Sequence, residues 1–118
     1  MTSPGPFPWN VSAIGGSIAE IGVPVSFASA SSNTIVAGVA GQIIRVYRVL
    51  LVNTAANSLT FQDGSTALSG AMLLGVSSIL ILPNCGIPWY QTSPGNAFNI
   101  LASAGSQVSG TIWYLQSS

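Results

Sequence analysis

Short runs in which apolar and polar residues alternate, separated by Gly, Pro, Asn and Ser, make up most of the chain. A period of two is that of a β-strand with one buried face. Residues 97–102 put Phe98, Ile100 and Ala102 on one face, and residues 107–115 continue the pattern. No segment has a convincing helical period. About eight short strands at this spacing predict an all-β fold, an antiparallel β-sandwich or jelly roll.

The longest predicted strand spans residues 42–53 and is apolar on both faces. We expect one face to meet the domain core and the other to meet a neighbouring subunit or another element of the chain. Arg45 and Arg48 are three residues apart, so an unbroken strand would point them to opposite faces and bury one of them. Either a β-bulge near Tyr47 realigns the strand, or an arginine pairs with Glu20 or Asp63. The plainer interpretation is that both arginines are solvated strand residues. The sharper hypothesis is a contact between an arginine and a carboxylate of another subunit or another protein.

Two turns are marked by their residue pairs. Asp63-Gly64, between two strand-like runs, predicts a two-residue hairpin loop of type I′ that places Gln62 opposite Ser65. Pro94-Gly95, in the centre of residues 93–96, predicts a type II turn. Asp63 is therefore interpreted as a turn residue and not as a catalytic one.

Residues 1–22 differ from the rest of the chain. Their repeated prolines exclude a helix and favour extended backbone, and two large aromatic side chains stand among them. We expect an extended N-terminal arm whose aromatic side chains dock on a protein surface, followed by a β domain of residues 23–118. The alternative for the arm is a disordered tail. The candidate contact residues of the arm are Pro6, Phe7, Pro8 and Trp9.

Charge is almost missing from this chain of 118 residues. Two basic and two acidic side chains give a net charge of zero, whereas an average globular chain is about a quarter charged. A neutral surface lacks the self-repulsion that keeps proteins apart in solution. We infer that partner polypeptides cover much of this surface. The charged residues are Glu20, Arg45, Arg48 and Asp63.

The same composition removes most catalytic and binding chemistry. Without His or Lys there is no histidine-activated nucleophile, histidine metal ligand, Schiff base or phosphate-loop lysine. Two carboxylates are too few for the usual calcium cage, and two arginines are too few for a nucleic-acid footprint. Cys85 stands alone and is expected to be a small buried apolar residue. We expect no enzymatic activity, catalytic residue, cofactor, metal, small-molecule substrate or nucleic-acid partner.

Residues 71–89 are uncharged and largely apolar, as a membrane span would be. A spanning helix needs about 20 apolar residues in succession. Here Gly75, Ser77 and Pro83 interrupt the segment and leave two pieces of strand length. No Lys or Arg flanks it to set an orientation. We therefore expect short strands in this segment and no membrane partner.

Four segments carry a likeness to a known family. They are Ile43-Ile44-Arg45-Val46, TFQDGSTALSG at 60–70, PWYQTSPGNAFNI at 88–100 and QVSGTIWYLQ at 107–116. In their order of strand, hairpin and aromatic terminal strand, the segments resemble small virion proteins of tailed bacteriophages, the head-decoration or cement proteins. The resemblance covers about residues 23–116 and leaves out the proline-rich arm.

The resemblance implies a non-catalytic jelly-roll subunit, often a homotrimer, on the outer surface of a capsid, where it bridges major capsid proteins. An interface of this kind takes much of its energy from aromatic and arginine anchors. The three aromatic candidates in the β domain are equally interpretable as core side chains. The candidate contact residues of the domain are Arg45, Arg48, Trp89, Tyr90 and Trp113.

Two other functions stay open at this point. A trimeric tail-fibre or spike head that binds a host receptor would need exposed aromatic or polar pockets at one end. A small membrane or cell-surface β-protein would fit the apolar composition.

Overall fold

The computed structural model describes residues 20–118, which form ten β-strands and no helix. Two of the strands, β5 and β8, have two residues each. The other eight strands match the number of about eight that the sequence predicts. The first strand begins two residues before the expected start of the domain at residue 23. The strands are β1 (Ile21–Phe27), β2 (Ser32–Val36), β3 (Ile43–Asn53), β4 (Asn57–Asp63), β5 (Thr66–Ala67), β6 (Met72–Leu74), β7 (Ile79–Leu82), β8 (Tyr90–Gln91), β9 (Phe98–Ala102) and β10 (Val108–Ser117).

The strands form two antiparallel sheets. The first sheet has the order β1-β10-β3-β7, with β8 also paired to β3, and the second has the order β2-β9-β4-β5, with β6 also paired to β4. The pairs are nested along the chain. Strand β1 pairs with β10 and β2 with β9, whereas β3 pairs with β8 and β7, and β4 pairs with β6 and β5. A long hairpin rolled up in this way is a jelly roll. The predicted fold class is confirmed.

Apolar side chains from both sheets fill the space between them. In β9 Phe98, Ile100 and Ala102 are buried, and in β10 Val108 and Ile112 are buried, as the alternation predicts. The Phe61 ring lies 5.6 Å from that of Phe98 and 5.0 Å from that of Tyr90, measured between centroids. The fully enclosed core consists of Val25, Val36, Ile44, Val46, Val49, Leu51, Leu59, Phe61, Phe98, Ile100, Ala102, Val108 and Ile112.

A β-bulge in the middle of β3 solves the problem set by its two arginines. Trp113 of β10 pairs with Arg48, and the next residue of β10 pairs with Val46, so Tyr47 is the extra residue. The strand changes phase at this point, and Arg45 and Arg48 both lie away from the core. The bulge predicted near Tyr47 is confirmed, and within residues 20–118 neither arginine pairs with a carboxylate of the chain.

The two turn predictions have different outcomes. Gly95 has a φ of 86°, and the amide of Asn96 donates to the carbonyl of Ser93 at 3.1 Å, which confirms the turn at 93–96. The hairpin register is wrong, because Gln62 pairs with Ala67 and the loop is Gly64-Ser65. Only Gly64 of the loop has a positive φ, at 60°. This excludes type I′ and fits the type II′ preference for Gly at the first loop position.

Asp63 fastens the hairpin to the 93–96 turn. Its carboxylate accepts hydrogen bonds from the amide and hydroxyl of Ser93 at 3.0 and 2.8 Å, and from Nδ2 of Asn96 at 2.9 Å. Desolvation by partial burial acts to raise the pKa of Asp63, but the bonds from Asn96 and Ser93 outweigh it and lower that pKa below its ordinary value of 3.8. Asp63 is thus a structural residue next to the loop and not part of it.

Two buried asparagines hold the loops at the other end of the sandwich. Asn53 donates to the carbonyls of Ala55 and Gly75 at 2.7 and 2.8 Å, and its Oδ1 accepts from the amide of Ser78. Asn57 donates to the carbonyl of Ala104 at 3.1 Å, and its Oδ1 accepts from the amide of the same residue at 3.0 Å. Neutral amides therefore satisfy the backbone groups that these loops expose.

The apolar segment 71–89 forms β6 and β7 joined by a turn, as expected. No helix within residues 20–118 is long and apolar enough to cross a membrane. The prediction for Cys85 is wrong, since this residue is exposed between β7 and β8. Its thiol lies 3.8 Å from the carbonyl of Ile87. A small apolar residue in a turn lacks the strand period that would bring it inside.

Gly110 is a position at which a side chain cannot be accommodated. It has a φ of 152°, and an added Cβ would lie 1.9 Å from the carbonyl oxygen of Leu50. We expect Gly110→Ala to lower the free energy of unfolding by about 3 kcal/mol or more, measured by urea denaturation. In the control Gly70→Ala, where an added Cβ meets nothing within 4 Å, the change should stay within about 0.5 kcal/mol. Equal effects of the two substitutions would contradict this account.

The lowered pKa of Asp63 makes stability depend on pH in acid. The stabilisation is fully present above the ordinary value of 3.8 and is lost as the pH falls through the lower pKa of the folded state. We expect Asp63→Asn to cost about 1–3 kcal/mol at pH 7 and to flatten the decline of stability below pH 4. Glu20→Gln is the control, and an unchanged acid slope in Asp63→Asn would show that Asp63 is not the group responsible.

Candidate assembly surface

The solvent-facing side of the first sheet exposes four aliphatic side chains next to one another. Leu50 and Val52 on β3 are 38% and 40% exposed, and Ile79 and Ile81 on β7 are 61% and 60% exposed. In the register of the sheet Leu50 pairs with Ile81, and Val52 pairs with Ile79. Because paired residues of antiparallel strands lie on the same side of a sheet, these residues form one block. We call it the aliphatic block.

Uncharged residues continue this face across the sheet. Thr111 and Ser109 of β10 lie opposite Leu50 and Val52, and Pro24 of β1 lies opposite Thr111. None of these side chains carries a charge that a partner would have to desolvate. The face is therefore suited to close contact with another uncharged surface.

One cation borders the aliphatic block. The guanidinium carbon of Arg48 lies 4.2 Å from the centroid of the Trp113 ring, a cation–π contact. On its other side, Trp113 pairs with Gly22 of β1, and a Cβ added at Gly22 would lie 3.2 Å from the indole nitrogen of Trp113. The bulge at Tyr47 puts Arg48 opposite Trp113, so one local irregularity creates this contact.

A groove of about 450 Å³ opens between the stacked pair and the end of β7. Leu50 and Ile81 contribute apolar side chains to its lining, and Pro83 and Asn84, the two residues that follow β7, also line it. Asn84 also donates from Nδ2 to the carboxylate of Glu20. The groove thus combines an aromatic ring, a guanidinium and an amide.

The structure separates the candidate residues of the β domain. Arg48 and Trp113 come together on the outer face, and Arg45 is half-buried and donates to the hydroxyl of Ser117 at 3.2 Å.

Trp89 is 41% exposed, and its indole nitrogen donates to the carbonyl of Pro83 at 2.8 Å. Tyr90 is partly buried and packs against the core, where its ring meets that of Phe61. The arm candidates Pro6, Phe7, Pro8 and Trp9 lie outside the described residues.

Sequence reasoning did not single out the aliphatic block, although a signal was present. The two apolar faces of residues 42–53 predict that one of them lies outside the domain core. The missing step was that Ile79 and Ile81 lie beside this face, and that depends on the pairing of β3 with β7, which local pattern does not give.

The two carboxylate side chains of the chain bind different partners. Within residues 20–118 there is no group of three or more His, Cys, Asp or Glu side chains that could hold a metal ion. Asp63 bonds to Ser93 and Asn96, whereas Glu20 accepts from Asn84.

The stack of Arg48 on Trp113 should be measurable as a coupling energy. We expect the single variants Arg48→Ala and Trp113→Ala and the double variant to give a coupling of about 0.5–1 kcal/mol in the free energy of unfolding. Arg45 provides the control, since a cycle of Arg45→Ala with Trp113→Ala should give a value near zero. Coupling of the same size in both cycles would mean that the contact is not specific to Arg48.

Comparison with known proteins gives no relative: no family, no curated protein sequence and no solved structure matches the chain.

Proposed function

We propose that the chain is a structural virion protein that decorates a bacteriophage head and cements it by bridging major capsid subunits, without catalysis. The observation that carries the proposal is the aliphatic block on a face that is otherwise neutral. A monomer gains nothing from exposing such a block, whereas a subunit of a shell buries it against its neighbours.

The near absence of charge supports the same role. Burying a charged group at an interface costs free energy unless a partner group compensates it, and this chain offers few such groups. Many weak contacts repeated over a shell then add up through avidity. The resemblance to cement proteins adds the expectation of homotrimers on the outer capsid surface, in contact with the major capsid protein.

Arg45 and Arg48 are included in the proposed contact with neighbouring subunits. Both guanidiniums lie away from the core, and neither pairs with a carboxylate within residues 20–118. A carboxylate of a neighbouring subunit could therefore form a charge-assisted bond with either of them. Trp89 and Trp113 are the aromatic anchors beside them that are most available, since Tyr90 packs against the core.

The groove favours a second candidate, a tail-fibre or spike head that binds a host receptor. Receptor-binding sites combine an apolar or aromatic wall with a few polar groups, and Trp113, Arg48 and Asn84 supply these here. Immunogold labelling separates the two candidates, because a receptor binder labels tail tips. A decoration protein labels the head and is present at tens to hundreds of copies, counted by mass spectrometry of purified particles.

Two leucines provide a matched test of the outer face. Leu50, in the first sheet, is 38% exposed, and Leu101, on β9 of the second sheet, is 39% exposed. We expect Leu50→Ser to weaken binding to undecorated heads about fivefold, because the apolar area it buries there is lost. Leu101→Ser should leave binding within about twofold of the wild type. Binding should be measured by co-sedimentation of each variant with the heads. If both variants lost affinity equally, or if only Leu101→Ser lost affinity, the outer face of the first sheet would not be the contact surface.

A further inference from the structure

The β7 strand is an edge strand without the features that commonly protect an edge. Within residues 20–118 its one neighbour in the sheet is β3. The opposite edge of the same sheet, β1, carries Pro24, which cannot donate a hydrogen bond. The outer strand β2 of the second sheet has a register irregularity between Thr34 and Val36. The β7 sequence Ile-Leu-Ile-Leu has no proline, charge or bulge.

The backbone groups of β7 that point outward can be identified. The amide of Asn53 donates to the carbonyl of Ser78, so Ser78 turns its backbone groups toward β3. Successive residues of a strand turn these groups to opposite sides. Ile79 and Ile81 therefore direct their N–H and C=O groups away from β3, to the open edge. The same two residues carry the exposed side chains of the aliphatic block.

We propose that β7 pairs with β7 of a second copy of this chain, antiparallel about a two-fold axis, and joins the first sheets of two copies into one continuous sheet. With the axis at Leu80, Ile79 of each copy lies opposite Ile81 of the other. Each of these pairs exchanges two backbone hydrogen bonds, because all four residues present their N–H and C=O groups to the edge.

The side chains fit this register as well. Paired residues of antiparallel strands lie on the same side of a sheet, so Ile79 and Ile81 of both copies meet on the outer face. The aliphatic blocks of the two copies then adjoin each other across the axis. A one-residue shift of the register would set outward-facing backbone groups opposite inward-facing ones, so such shifts are excluded.

The charge pattern favours a second copy as the occupant of this edge. Two-fold pairing puts each residue near its own counterpart, and like charges would then repel across the axis. Neither β7 nor the residues of β3 paired with it are charged. This edge offers no charge that would align a different partner, whereas the backbone groups and side chains of a second copy match it residue by residue.

The inference deepens the proposed assembly role and rests on it in one respect, that copies of the chain meet in the assembly. A two-fold contact at β7 uses the edge of the sandwich. It is compatible with a three-fold contact elsewhere on the molecule and would link neighbouring trimers.

The test is the mass of the full-length protein, measured by size-exclusion chromatography with light scattering. A reducing agent is needed because Cys85 is exposed. We expect an even number of chains in the wild type. Ile81→Pro removes one outward N–H and Ile81→Lys puts like charges across the axis, so each variant should lower the mass to that of the unit without the two-fold contact, which is a single chain, or a trimer where a three-fold contact is also present. Leu73→Lys is the control, because Leu73 is 77% exposed on β6 of the other sheet, and it should keep the wild-type mass.

Amide hydrogen exchange gives a second readout that does not depend on the variants. The amides of Ile79 and Ile81 should exchange more slowly as the protein concentration rises, and circular dichroism should show that all variants are folded. An odd number of chains, an unchanged mass in both Ile81 variants, or exchange independent of concentration would overturn the pairing. The pairing would also be overturned if the wild type were a single chain and gained mass only after residues 1–19 were removed. Failure to bind heads at an unchanged mass concerns only the proposed function.

Discussion

The bulge at Tyr47 in the β3–β10 pair is the constraint on which the rest of the first sheet depends. A regular strand would turn Arg45 or Arg48 into the core, where an unpaired guanidinium costs several kcal/mol. The extra residue lets β3 bury Ile44 and Val46 before the bulge and Val49 and Leu51 after it. Both cations then lie outside. The strand can be apolar on both faces because this single change of phase removes its charges from the core.

Neutral polar groups do in this chain what charged groups often do elsewhere. Asn53 and Asn57 bind loop backbone groups from buried positions, and the hydroxyl of Thr92 accepts from the amide of Ile44 at 3.0 Å. Each of these bonds avoids the desolvation that a buried ion would require. The one carboxylate in a comparable role is that of Asp63, and it is bound by neutral donors. A chain with two acidic and two basic residues can therefore fix its loops as firmly as a chain of ordinary charge.

The sequence predicts those features that depend on local periodicity or on one strong turn residue. The alternation of β9 and β10, the limits of β7, the type II turn at 93–96 and the bulge in β3 are of this kind. The hairpin after β4 was placed one residue wrong, because Asp63 bonds to Ser93 and Asn96, far away in sequence, and stays in the strand. The position of β7 beside β3 was also out of reach, since loops and other strands separate the two in sequence.

An uncharged protein has few means of choosing how its copies meet. Apolar contact is non-directional, and a flat aliphatic face can slide on its partner with little change in buried area. Charge patterns normally fix the alignment of such faces, but here one cation, that of Arg48, borders the block and is held on Trp113. Backbone hydrogen bonds at a strand edge are directional and fix alignment to a single residue. We therefore regard the β7 edge and the aliphatic block as one surface, in which the edge supplies the alignment of two copies and the blocks, which adjoin across the axis on the outer face, supply an apolar area that a further partner can cover.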